Sequence, residues 1–175
     1  MDKPSETLVT VRDWLRYAVT QMHRHEVDVG QGTPSIWDDA VFLVLRTLAL
    51  PVDQLEPFLD ARLLPSECQA LQQNIDQRCL ERIPTAYLVN EAWLSGYRFR
   101  VDAQVLIPRS PISELLAMQL QPWLDNPDAV YRIADICTGS GCLAILAALN
   151  FSEASVDATD ISESALQVAR ANVAD

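Results

Sequence analysis

Two short apolar runs, each followed directly by a helical pattern, constrain this chain more than any other feature. Tyr131–Ile136 is strand-like and runs without a spacer into Cys137-Thr138-Gly139-Ser140-Gly141, after which Gly141–Asn150 carries an apolar helical pattern. Ala154–Thr159 then repeats the strand and Glu163–Val173 the helix. Strand–helix–strand–helix excludes a hairpin for these two strands. They must lie parallel, joined by a right-handed crossover, so the fold class is α/β.

The first ninety residues are of a different kind. Val11, Trp14, Leu15, Ala18, Val19 and Met22 recur at three- and four-residue spacing and predict a helix over Val9–His25. Ser35 with Asp38 three residues on reads as an N-cap for a helix through Ala49, and Pro51 stops it. A short helix is predicted around Asp53–Ala61 and another from Pro65 to about Glu81. Four amphipathic helices with short connections predict a small bundle. Ala92–Leu94 and Tyr97–Val101 flank Ser95-Gly96 as a β-hairpin, and a helix is predicted from about Ser113 to Trp123. The expected organisation is a helical domain at 1–90, a hairpin linker at 91–109 and an α/β part at 110–175.

Charge narrows the partners. Of a net −11, residues 1–100 hold 10 basic and 14 acidic groups, and residues 101–175 hold 3 and 10. An acidic α/β part does not displace counterions from phosphates, so direct nucleic-acid binding is not expected, whereas a basic protein partner suits it. The longest apolar stretch, Ala40–Leu50, is short and broken by Arg46, which excludes a membrane-spanning helix there. The start MDKPSETLVT, with the single lysine Lys3, lacks the pattern of a signal peptide, so a cytoplasmic protein is expected. Cys68, Cys79, Cys137 and Cys142 match neither zinc spacing nor a disulfide framework. On one helix Cys68 and Cys79 would stand about 16 Å apart, beyond disulfide reach. Buried reduced thiols are the expectation. His23 and His25 form an H-x-H without a third ligand, so no metal site is predicted.

The chemistry concentrates at Asp135–Cys142, where a strand gives way to a helix. Glycines there admit positive φ and let a ligand lie against the backbone, near the positive end of the helix. Asp160 follows Gly139 by 21 residues, at the tip of the second strand, where a carboxylate accepts from both hydroxyls of a ribose. Gly139-x-Gly141-x-x-Ala144 formally satisfies the dinucleotide fingerprint of an NAD-linked oxidoreductase. The same layout also serves S-adenosylmethionine. Asp135, four residues before the first glycine, separates the two. A carboxylate gains nothing beside a pyrophosphate, but it favours a ligand carrying an ammonium and a sulfonium.

These residues resemble the protein-(glutamine-N5) methyltransferases. Ile83-Pro84-Thr85-Ala86-Tyr87-Leu88 is similar to the Pro-x-x-Tyr segment that precedes the hairpin in that family. Phe99-Arg100-Val101, then Val105-Leu106-Ile107-Pro108-Arg109 and Glu114, are similar to its Phe-x-Val…Val-Leu-Ile-Pro-Arg stretch and following acidic residue. The likeness covers about 83–173. The release-factor branch reads Pro-Arg-Pro-x-Thr-Glu and Asp-Leu-Gly-Thr-Gly. Here Pro108-Arg109-Ser110-Pro111-Ile112-Ser113-Glu114 and Asp135-Ile136-Cys137-Thr138-Gly139 resemble instead the branch acting on the third large-subunit ribosomal protein.

The resemblance implies a Rossmann-like class I methyltransferase domain that binds S-adenosyl-L-methionine. Cys137, Thr138, Gly139, Ser140 and Gly141 would surround the cofactor, Asp160 would hold its ribose, and Asp135 would lie near its amino-acid end. Arg109 and Glu114 would either contact ligand or pin the linker. The family's catalytic Asn-Pro-Pro-Tyr does not occur in the sequence; the lone Asn126-Pro127 precedes the first parallel strand. No catalytic residue is therefore assigned to this chain. It is expected to be an N-terminal portion, inactive alone and weak in cofactor affinity. A non-catalytic protein-binding fragment, an NAD-linked enzyme and a release-factor glutamine methyltransferase are the competing expectations.

Overall fold

The computed structural model describes residues 7–175, so the first six residues, including Lys3 and most of the segment read for a signal peptide, lie outside the described residues. Two compact units divide between Val89 and Asn90.

The first unit holds α1 (Val11–Arg24), α2 (Ile36–Thr47), α3 (Pro65–Leu80) and the single turn α4 (Thr85–Leu88). Each long helix is started by its own sequence. Thr10 caps α1: its hydroxyl accepts from the Asp13 amide while the Asp13 carboxylate accepts from the Thr10 amide, a reciprocal capping box. The Val11 and Arg12 amides, which have no partner inside the helix, donate to the Ala61 and Leu59 carbonyls at 3.2 and 2.9 Å. Ser35 caps α2 through the Asp38 amide, as its spacing predicts. The helix expected over Asp53–Ala61 is reduced to a 3-10 turn at Glu56–Phe58. Pro57 supplies no amide, and the Leu59 and Ala61 carbonyls are committed to α1 instead.

α1, α2 and α3 each pack against the other two. Trp14, Ala18, Met22, Leu43, Val44, Leu71 and Ile75 are fully enclosed there, with Cys68 and Cys79 beside them. Among the described residues of this unit, one ion pair between side chains is buried. Arg78 Nε donates to Asp39 Oδ2 at 2.7 Å, and its Nη2 donates to the Asp28 carbonyl at 2.7 Å. Thr33 Oγ1 donates to the other Asp39 oxygen at 3.1 Å. The Asp28–Thr33 connection is thereby fastened to α2 and α3 by groups that water does not reach.

The second unit begins with the antiparallel pair β1 (Glu91–Leu94) and β2 (Tyr97–Arg100), in the register Glu91↔Arg100 to Leu94↔Tyr97. The hairpin packs within this unit, β2 lying against the last helix. α5 (Ile112–Ala117) is shorter than the predicted Ser113–Trp123 helix. Gln119 and Leu120 turn left-handed after it, at φ 51° and 60°, and Pro122 prevents its resumption. β3 (Arg132–Ile136) and β4 (Ser155–Thr159) are parallel, paired Arg132↔Ser155 through Ile136↔Thr159. α6 (Cys142–Asn150) makes the crossover between them, and α7 (Glu163–Ala174) follows.

The apolar run read as a buried strand is only half covered. Ile133 and Val156 pack against a core of Phe99, Leu116, Leu146 and Phe151, while Ile136, on the alternate face, is 68% exposed. A two-stranded ladder with helix cover on one face leaves every second residue in solvent.

Replacing Arg78 by Met strands the Asp39 carboxylate in the core and should cost the first unit about 3–5 kcal/mol. Urea unfolding followed through Trp14 measures it, and adding Asp39→Leu should recover most of the loss.

Candidate functional site

The site grows from the register of β3 and β4. Because Ile136 pairs with Thr159, the residues just beyond both strand ends emerge side by side. Cys137 adopts φ 65°, a left-handed conformation that costs a non-glycine residue roughly 1–2 kcal/mol. That single reversal swings Thr138 back, so that its amide donates to the Thr159 carbonyl at 2.9 Å and adds one more rung to the ladder. The Thr138 hydroxyl donates to Asp135 Oδ2 at 2.6 Å. Gly139 follows at φ 56°, and its amide donates to Asp160 Oδ2 at 2.9 Å. The other Asp160 oxygen accepts from the Ser162 amide at 2.9 Å. One carboxylate thus ties the glycine turn to the start of α7.

The two glycines do different things. A Cβ on Gly139 would meet nothing within 4 Å, so its backbone faces open space. A Cβ on Gly141 would lie 3.1 Å from the Cβ of Ala169, so here the missing side chain lets α7 close on the turn. Gly141, at φ 79°, is also the N-cap of α6 and makes no side-chain cap bond.

Beside the turn is a cavity of ≈ 530 Å³, within the range of small-molecule sites. Cys137, Thr138, Gly139, Ser140 and Asp160 line one side and Gln104–Ser110 the other. Asp135 and Gly141 do not border it: Asp135 is engaged beneath the turn by Thr138, and Gly141 by Ala169. Within the second unit, Arg109 borders the cavity, as one of its two expected roles requires, and the rest of the Gln104–Ser110 wall was not assigned from the sequence. Val105, Ile107 and Pro108 are buried while Leu106 and Arg109 are exposed, a difference that the uniformly apolar run Val105–Pro108 does not announce in sequence. Glu114 is exposed and lies outside the lining. A larger groove of ≈ 630 Å³ along α3, lined by Pro65, Gln69, Gln72, Gln73, Asp76, Gln77 and Glu81, draws on one helix whose backbone groups are spent internally.

The thiols divide by burial. Cys79 is pushed up to about 11 by desolvation, and Cys142 is likewise raised, chiefly by burial. Cys137, expected to be buried, is exposed because its left-handed backbone turns it outward at the cavity. Among the described residues no group of three or more metal-ligating side chains occurs, and no helix is long and apolar enough to cross a membrane.

Comparison with known proteins bears on this arrangement. A family model described as Ribosomal protein L11 methyltransferase (PrmA) matches residues 116–175, the segment that carries the turn and Asp160. A Ribosomal protein uL3 glutamine methyltransferase of Bordetella pertussis is 55% identical over 170 residues, covering 97% of this chain and 57% of the relative. Its namesake in Burkholderia pseudomallei is 53% identical over 163 residues, 93% of this chain and 53% of the relative. That of Neisseria gonorrhoeae is 44% identical over 174 residues, 99% of this chain and 58% of the relative. Over nearly its whole length this chain is similar to proteins named uL3 glutamine methyltransferase. It spans a little over half the length of these relatives, and the match includes the helical unit as well as the turn.

Gly141→Ala should destabilise the second unit by about 1–2 kcal/mol or more, from the unfavourable φ and the contact with Ala169 together, whereas Gly139→Ala carries only the conformational part. Thermal melts of the two variants distinguish them. Asp160 is held below its ordinary value of 3.8, first by the Ser162 amide and then by the Gly139 amide. A depressed carboxylate stabilises the fold above its unfolded pKa and loses that contribution as pH falls through the folded one. Acid titration of the second unit should therefore show a loss beginning below about pH 4 that is smaller in Asp160→Ala.

Proposed function

We propose that the whole protein transfers a methyl group from S-adenosyl-L-methionine to the side-chain amide nitrogen of a glutamine in ribosomal protein uL3. In this reading the second unit is the opening part of a Rossmann-like class I methyltransferase domain and holds the cofactor at the glycine turn. The observation that carries it is Asp160 bonded under the open backbone of Gly139, at the rim of a cavity, in a chain 55% identical to a uL3 glutamine methyltransferase.

The residues present fit the cofactor. A carboxylate has about four acceptor sites, and the two amide bonds leave Asp160 capacity for ribose hydroxyls. Cys137, Thr138, Gly139, Ser140 and Gly141 form the backbone cradle, with Gly141 acting by letting α7 close behind it. Asp135, at the base of the turn, adds negative charge where the ligand is cationic and where a pyrophosphate would be repelled. The positive N-terminal end of α6 suits the cofactor's carboxylate. When bound, S-adenosyl-L-methionine supplies an electrophilic methyl on a sulfonium that departs as a neutral thioether. An amide nitrogen is a poor nucleophile, so the protein must hold nitrogen, methyl and sulfur in line and accept hydrogen bonds from the NH₂. No residue of this chain is given that last task. The partner is a basic ribosomal protein drawn to an acidic surface in the cytoplasm, without direct contact to nucleic acid.

Calorimetric titration tests this on the 175-residue chain and on one extended to the length of the relatives. S-adenosylhomocysteine should bind, more tightly to the extended chain, and should slow alkylation of Cys137. NAD should not bind. Asp160→Ala should weaken the S-adenosylhomocysteine complex about tenfold, the loss of charge-assisted hydrogen bonds. Binding of NAD, or undiminished affinity in Asp160→Ala, overturns the reading.

A further inference from the structure

The two walls of the cavity come from separate parts of the second unit, and one side chain bonds to both parts. Asn172, on the last turns of α7, accepts from the Arg100 amide at 2.6 Å through Oδ1. Its Nδ2 donates to the Arg100 carbonyl at 3.0 Å and to the Ser140 carbonyl at 2.8 Å. Both amide hydrogens and the carbonyl are used, and the pattern required, one acceptor and two donors, is that of a carboxamide alone among side chains of this size.

Each end of this connection leads to the cavity. Ser140 lines it directly, within the glycine turn. Arg100 ends β2, and its outward amide and carbonyl are the edge that Asn172 pairs in place of a further strand. Four residues later Gln104 opens the opposite wall, with little slack between. Val101 is fully buried, the Gln104 amide donates to Asp102 Oδ1 at 2.9 Å, and the Val105 amide donates to the Asp102 carbonyl at 3.2 Å. One helical turn before Asn172, Ala169 sits against Gly141. The same face of α7 therefore fixes the glycine turn twice and the hairpin exit once, and Asn172 itself does not border the cavity.

We infer that Asn172 is a positioning residue for the cofactor site, setting the separation of the Gln104–Ser110 wall from the glycine turn. This rests on the assignment of that cavity to S-adenosylmethionine.

Asn172→Asp makes the sharp test, because it keeps the volume and the acceptor for the Arg100 amide but removes both donors. Amide exchange in the 175-residue chain should show Gly139 and Gly141 exchanging about tenfold faster in this variant, with Arg100 still protected and the Ile133–Val156 ladder unchanged. In Asn172→Ala, Arg100 should be exposed as well. Affinity for S-adenosylhomocysteine should fall about tenfold in both. Wild-type exchange at Gly139 and Gly141 in Asn172→Asp overturns the inference, as does wild-type affinity. If the unaltered chain fails to bind S-adenosylhomocysteine even when extended, the cofactor assignment falls instead, and the exchange contrast alone decides whether Asn172 positions the turn.

Discussion

The parallel pairing of β3 with β4 is the constraint on which the second unit depends. Its register brings the strand ends level, and only then do the Thr138 amide and Thr159 carbonyl, and the Gly139 amide and Asp160 carboxylate, come within 2.9 Å. A shift of one residue would turn Asp160 to the other face of its strand and leave the Gly139 amide without its acceptor. The left-handed Cys137 is affordable only because these bonds determine the loop from both sides. The energy that holds an unfavourable backbone in place is therefore supplied by the ladder and not by the loop.

Much of this was legible in the residues. The parallel pair follows from strand and helix patterns in alternation, the N-caps at Ser35 and the start at Pro65 from local side-chain chemistry, and the hairpin from Ser95-Gly96 between two short apolar runs. The closeness of Gly139 and Asp160 also followed, since strand ends separated by one crossover must meet. What escaped was decided by partners distant in sequence. The segment Asp53–Ala61 forms only a 3-10 turn, and its Leu59 and Ala61 carbonyls accept from the first turn of α1. The helix after Ser113 stopped early at residues with positive φ that carry no glycine to announce them. Gly141 reads as a ligand-facing glycine in sequence, and only the approach of Ala169 shows that it faces another helix.

The two units are stabilised by different means. The helical unit has a fully enclosed apolar core crossed by the buried Arg78–Asp39 pair, with hydrogen bonds from Arg78 and Thr33 that order a connection. In the second unit the apolar core is smaller and the site is shaped by hydrogen bonds to backbone, from Asp160 on one side and Asn172 on the other. Such bonds are directional and contribute only about 1 kcal/mol each, which suits a surface that has to be accurate more than it has to be strong.

The crossover has a kinetic consequence. A hairpin closes locally, but β3 cannot pair with β4 until the whole of α6 has been traversed, and that closure entropy is lost before any contact offsets it. The Thr138 and Gly139 amides wait on this event, because they find their acceptors only on β4 and beyond. The cavity thus acquires its shape late in folding, after the hairpin and the helices can already exist. A molecule that binds there recognises the finished unit and not its precursors, and by mass action it draws the population toward that state.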